Sequence, residues 1–104
     1  MLICRQRRQL FEANAPWLRA SYARSPASTA LTESLAGHRT LLRRQLNVTL
    51  GPEIDARGPQ APVVLDALDV AAGWNSWSAL RFDAGHSATS AEQVMVFSVS
   101  RLLL

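Results

Sequence analysis

The chain contains no lysine, one cysteine, two histidines and no long apolar run, and each shortage rules something out. With Cys4 as the sole thiol there is no internal disulfide, and a lone thiol suits a reducing compartment, so the cytoplasm is the expected location. Leu2-Ile3-Cys4 superficially matches a bacterial lipid-attachment site, but no apolar segment precedes it and Arg5, Arg7 and Arg8 follow at once. Arginines or acids interrupt every apolar stretch before it reaches the roughly 18–20 residues that cross a bilayer, so no membrane partner is expected. Cys4, His38 and His86 stand far apart without the paired spacing of metal ligands, and no phosphate-binding loop is present, so neither a metal nor another cofactor is expected. Asn47-Val48-Thr49 fits the glycosylation acceptor pattern but falls inside a predicted helix of a chain expected in the cytoplasm.

What the chain has is apolar surface and arginine. Its 104 residues fit one domain, and a domain this small hides only roughly 60–70% of its unfolded surface, which leaves it marginal alone. Hydrophobic residues make up 48% and charged residues 18%, an excess of apolar over charged surface that points to burial against another chain. The net charge of +3 is uneven: residues 1–57 carry nine arginines against four acids, and residues 58–104 carry two against four. A basic half can grip phosphates. Here Arg5, Arg7, Arg8, Arg39, Arg43 and Arg44 lie among leucines at positions expected to point outward, so solvated helix faces are the plainer reading, and the exclusive use of arginine reads as coding bias.

Apolar spacing predicts an all-α fold. Leu10, Phe11, Trp17, Leu18 and Tyr22 fall near helical spacing over Leu2 to Ala23, with Pro16 expected to kink that helix or split it in two. Ser25-Pro26 reads as the start of a second helix. Its stripe of Leu31, Leu35, Leu42 and Leu46, shared by His38 and Thr49 and widened by Leu41 and Leu50, is the cleanest amphipathic pattern in the chain. Gly51-Pro52 is expected to end it with a left-handed cap, and Glu53 to Gln60 reads as a surface loop before Pro62 opens a third helix. From Val63 to Asp83 apolar residues occupy nearly every side, the pattern of a buried helix, with Asp66 and Asp69 as a narrow polar edge and Gly73 open to close approach by another backbone. Gly85 stops this helix and Ser87 caps the last one, which runs through Val94, Met95, Val96, Phe97 and Val99 to Leu104. Pro62 to Leu104 therefore reads as two apolar helices hinged at Asp83-Ala84-Gly85-His86-Ser87, an interaction hairpin. No internal repeat or low-complexity tract is present.

No constellation of nucleophile, base and orienting group appears, so an enzyme is not expected; Asp66 and Asp69 could pair as carboxylates, but nothing joins them. Nor does any segment give a helix-turn-helix with a basic second helix. Trp17, Tyr22, Trp74, Trp77 and Phe97 supply flat surfaces that either fill a core or line an apolar cavity. Trp17, Tyr22, His38 and Trp74 lie on the apolar stripes of the first three helices, where they would line a ligand pocket.

Trp77-x-x-Leu80-Arg81-x-Asp83-x-Gly85-x-Ser87, followed by an apolar helix, resembles the end of a TetR-type bacterial transcriptional regulator. Arg8-Gln9-Leu10-Phe11-Glu12, Ala15-Pro16 and Leu41-Leu42-Arg43-Arg44-Gln45-Leu46 are similar, in similar order, to segments of that family's sensing domains, so the resemblance spans nearly the whole chain. It implies a single C-terminal regulatory domain over residues 1–104, a helical bundle of four to five helices whose last two form a dimerisation hairpin. It also implies a small apolar effector and pairing with a second copy or with a full-length regulator, through Leu68, Ala72, Trp77, Leu80, Val94, Phe97 and Leu102. The family's DNA-reading domain would precede Met1, so no DNA binding is expected of this chain alone. The rival expectation is a helical interaction module that captures a full-length regulator as a mixed dimer and has no ligand of its own.

Overall fold

In α1 (Leu2–Arg24) the residues that turn inward are Ile3, Cys4, Arg7, Phe11, Leu18 and Ser21, steps of three, four and seven that trace one helical stripe. The computed structural model describes Met1–Leu104, and in it 88% of the chain is helical and no strand occurs. Pro16 sits within α1 without ending it, on the exposed side. The helix stops where Pro26 withholds the amide that Tyr22 would accept from; Ser25 Oγ donates to the Tyr22 carbonyl instead, at 3.2 Å. A 3₁₀ turn over Ser25–Ala27 follows, and the cap of α2 (Thr29–Thr49) is Ser28. Its backbone is extended and its Oγ accepts from the Leu31 amide at 3.2 Å. The helix thus begins three residues later than Ser25-Pro26 suggests.

Leu35 and Leu46 of α2 are buried, Leu31, His38 and Leu42 are partly buried, and Leu41, Val48 and Thr49 face solvent. The left-handed cap expected at Gly51 is not formed, because the only positive-φ residues are Gly58 and Gly85. The chain instead re-enters a short helix, α3 (Gly51–Asp55), with Pro52 in its first turn and Ile54 buried; a 3₁₀ turn over Gly58–Gln60 leads on. The expected surface loop is therefore mostly helical. One apolar residue in a five-residue helix leaves no period to read.

The largest correction concerns the third predicted helix. It is broken at Ala72-Gly73 into α4 (Ala61–Ala71) and α5 (Trp74–Ser78), and α5 runs on as a π-helical turn over Ala79–Asp83. It is not buried all round either, since Val63 and Val70 are exposed. Gly73 is extended, and a Cβ there would lie 2.7 Å from the Asp69 carbonyl oxygen, so the turn needs glycine for space. The hinge near residue 85 stands as read: Gly85 has φ +75°, and the extended Ser87 accepts from the Ser90 amide at 3.1 Å to open α6 (Ala88–Leu102).

The long helices form a ring in which α1 packs on α2 and α6, and α4 packs on the same two. The all-α helical bundle follows from the sequence as expected. Ala91, Met95 and Val99 of α6 and Val64 and Leu68 of α4 point into the ring, and Phe11 meets Trp74 edge-on at 5.7 Å between centroids. The body measures 40 × 30 × 18 Å and exposes 6202 Å², against about 5,800 Å² for a typical monomer of its mass. A bundle this thin keeps a small core and much apolar surface outside it. No helix is long and apolar enough to cross a membrane.

Candidate functional site

The break at Ala72-Gly73 opens a cleft. Tyr22 from the end of α1, His38, Arg39 and Leu42 from α2, Asp69 and Val70 from α4, and Gly73 to Ser76 surround a space of about 170 Å³. That volume suits a single-ring molecule, since an apolar protein cavity of about 150 Å³ accommodates benzene. Ser76 Oγ donates to the Val70 carbonyl at 2.7 Å and so caps the cut end of α4, while Trp74 turns inward and forms the aromatic wall.

Of the four residues expected to line a pocket, Tyr22, His38 and Trp74 do so. Trp17 does not. It shares the outer side of α1 with the exposed Ala13, Ala20 and Arg24 and is 47% exposed. Arg39, Asn75 and Ser76 escape a reading based on apolar stripes. The signal that would have found the last two is the run Gly73-Trp74-Asn75-Ser76, which sets three poor helix formers in an otherwise apolar helix.

The polar groups of the cleft divide into committed and free. Asp66 and Asp69 both bind Arg43, at 2.6 and 3.3 Å, and that guanidinium accounts for the aspartate pair as a salt-bridged edge. With the nearby bonds going to these partners and to the Val70 and Tyr22 carbonyls, the Tyr22 hydroxyl, the His38 ring, the Arg39 guanidinium and the Asn75 amide have no partner within the chain. Burial, reinforced by the neighbouring Arg7 charge, pushes the His38 pKa below its ordinary value and favours the neutral imidazole. The free groups can bind and orient a small molecule by hydrogen bonds.

Behind this wall lies Arg7, expected on the surface and in fact 1% exposed. It donates from Nη1 to the Ala72 carbonyl at 3.0 Å and from Nη2 to the Leu42 carbonyl at 2.7 Å, while its Nε has no partner. Both acceptors are neutral backbone oxygens: one at the end of α4, one on the α2 face that lines the cleft. Nearby Cys4 is buried as well, which raises its thiol pKa and makes it a poor nucleophile.

A second polar assembly joins α1 to α5 and the π-turn. Arg81 Nη2 and Nε donate to the two oxygens of Glu12 at 2.7 and 3.1 Å, Trp77 Nε1 donates to Glu12 Oε2 at 2.9 Å, and Arg81 Nη1 donates to the His86 carbonyl at 2.8 Å. The hydrogen bonds from Arg81, with a smaller share from Trp77, hold the Glu12 carboxyl below its ordinary pKa. Two segments that are far apart in sequence, Arg8–Glu12 and Trp77–Ser87, are thereby clamped together. His86 is held in turn by Ser90, with Nδ1 3.1 Å from its Oγ.

The residues expected at a dimer seam separate by exposure. Leu68, Ala72 and Trp77 are wholly buried in the chain's own core and present nothing to a partner. Leu80 and Leu102 are partly buried against that core, and only Val94 and Phe97 are exposed, at 38% and 62%. The reason is the ring: a helix flanked by two others consumes its apolar sides internally. No three His, Cys, Asp or Glu side chains cluster at metal-binding distance. Compared with known proteins, the chain matches no family model, no curated protein and no solved structure, so the chemistry of the cleft carries the functional reading.

Proposed function

We propose that this chain is the effector-sensing and pairing domain of a cytoplasmic transcription regulator of the TetR type, with DNA contact left to another part of such a regulator. The observation that carries this reading is the position of the cleft. One of its walls is the α4–α5 break, and the five-residue α5 joins that break to the π-turn whose Arg81 grips Glu12 and the hinge. A ligand that displaces Trp74 therefore acts on the segment that sets how α6 leaves the bundle. Ligand would select one arrangement of that segment by its difference in affinity between two. Pairing would use the exposed side of α6, where Val94 and Phe97 stand clear of the core and Arg101 covers the Phe97 ring at 5.2 Å.

Thermal unfolding tests the sensing half with phenol and indole as probes. At about tenfold excess over Kd a specific ligand adds about 1.4 kcal/mol, hence a rise of several degrees in Tm for a domain of this size. Val70, which is 69% exposed at the mouth of the cleft, gives the control: Val70→Trp fills the entrance without disturbing the core and abolishes the rise. Equal shifts in both proteins, or none in either, would defeat the sensing role. The second reading, a module that captures a full-length regulator as a mixed dimer, draws on the same exposed α6 face. It predicts pairing with no response to either probe.

A further inference from the structure

We infer that the cleft is built for a small organic anion, an aromatic ring carrying a carboxylate, with the ring on the Trp74 wall and the carboxylate toward Arg39. The inference rests on the reading of this cleft as a ligand site. Its basis is a count of charges around the space. Three guanidiniums, those of Arg7, Arg39 and Arg43, stand on or behind the walls against two carboxylates, Asp66 and Asp69. Arg43 spans both aspartates, and the one negative charge left over acts on Arg7 behind the wall, so the five groups together carry a single positive excess. Arg39 is left on the lining with no counter-ion.

The Arg7 charge lies deeper and has no direct ion pair, Asp69 acting on it only across a distance. It is a fully buried cation whose two hydrogen bonds go to neutral carbonyls and whose Nε bonds to nothing. Burying a cation without a direct ion pair is unfavourable, and the surrounding low dielectric makes its field felt farther than a surface charge would be. Arg7 does not line the cleft, but the Leu42 segment it binds does, so its field falls on the occupant. The free polar groups are of the matching kind: Arg39, the Asn75 amide, the Tyr22 hydroxyl and neutral His38 can all present N–H or O–H donors to carboxylate oxygens. The apolar part of such a molecule meets Trp74, Leu42 and Val70, and a benzoate-sized body suits the roughly 170 Å³ available.

Calorimetry with benzoate, its neutral isostere benzamide, and benzylamine separates the possibilities on the whole chain and two variants. Benzoate is expected to bind about tenfold more tightly than benzamide, the usual advantage of a charge-assisted hydrogen bond, and benzylamine not at all. Arg39→Gln, a change at an exposed side chain without a protein partner, should remove most of the advantage of benzoate over benzamide. Val70→Trp should abolish both. If benzamide binds as well as benzoate, or benzylamine better than either, the anion preference is overturned while the ligand site stands. If no probe binds, the ligand site falls and the anion preference falls with it.

Discussion

Two regions of this bundle are built from similar residues and end in opposite states. Around Glu12, Trp77 and Arg81 the polar atoms are mutually satisfied: a carboxylate accepts three hydrogen bonds and a guanidinium donates on two sides, beside a tryptophan wholly removed from water. Around Tyr22, His38, Arg39 and Asn75 a similar density of polar groups has no partners, and the tryptophan beside them borders an open space. Satisfied polar networks fix one arrangement, whereas unpaired groups around a cavity leave affinity available for something else. The clamp is read as structure and the cleft as a site for that reason.

The comparison breaks most visibly at Trp77. Trp77→Ala empties a fully buried ring position and strips one hydrogen bond from Glu12, and a loss of about 3–5 kcal/mol is expected in urea unfolding. An effect below about 1 kcal/mol would mean that the clamp end is no more rigid than the cleft.

Next in size is Gly73→Ala. The new methyl would meet the Asp69 carbonyl oxygen at 2.7 Å, a backbone atom that cannot swing aside, and the expected cost is about 1–3 kcal/mol. Because Gly73 also lines the cleft, the same variant should bind probes more weakly even where it remains folded.

Acid provides the finest cut, since the two regions fail in different windows. His38 has a folded pKa below its ordinary 6.5, so the unfolded chain takes up that proton more readily, and stability declines as pH falls below about 6.5. Glu12 has a folded pKa below its ordinary 4.5, so its contribution is intact above that value and disappears as pH falls through the folded pKa. Melting temperatures across this range should show two separate declines. His38→Leu should remove the first and Glu12→Gln the second; a single decline that answers to neither substitution would contradict the assignment.

How much of this was legible depended on how far each feature reaches along the chain. The hinge at Gly85 and Ser87 is chemistry within three residues, a left-handed glycine and a hydroxyl capping Ser90, and it was readable. The period of α2 and the helical character of α6 were readable for the same reason. The start of α2 was displaced because Ser25 and Ser28 carry the same local signal; only the orphaned Tyr22 carbonyl decides between them. The break at Gly73 lay under an apolar pattern that continues on both sides, so periodicity overrode the local warning of glycine, asparagine and serine. Arg7 falls on the stripe of Ile3, Phe11 and Leu18, so its inward position was open to a reading by period, whereas its acceptors, 35 and 65 residues away, were not. Three of the four pocket residues were found on apolar stripes, whereas the groups that give the cleft its charge could not be.

Arg7 has one more consequence, and it is mechanical. A single planar guanidinium fastens α1 to the middle of α2 and to the last turn of α4, three elements held by two bonds that diverge from one carbon. A lysine ammonium at the end of its flexible stem would hold such a junction far less rigidly. The end of α4 is where the chain breaks to form the cleft, so Arg7 acts as a strut between the floor of the cleft and the longest helix in the molecule. Any displacement of the α4–α5 turn would have to stretch or break the Arg7–Ala72 bond, a restraint separate from the clamp at Glu12.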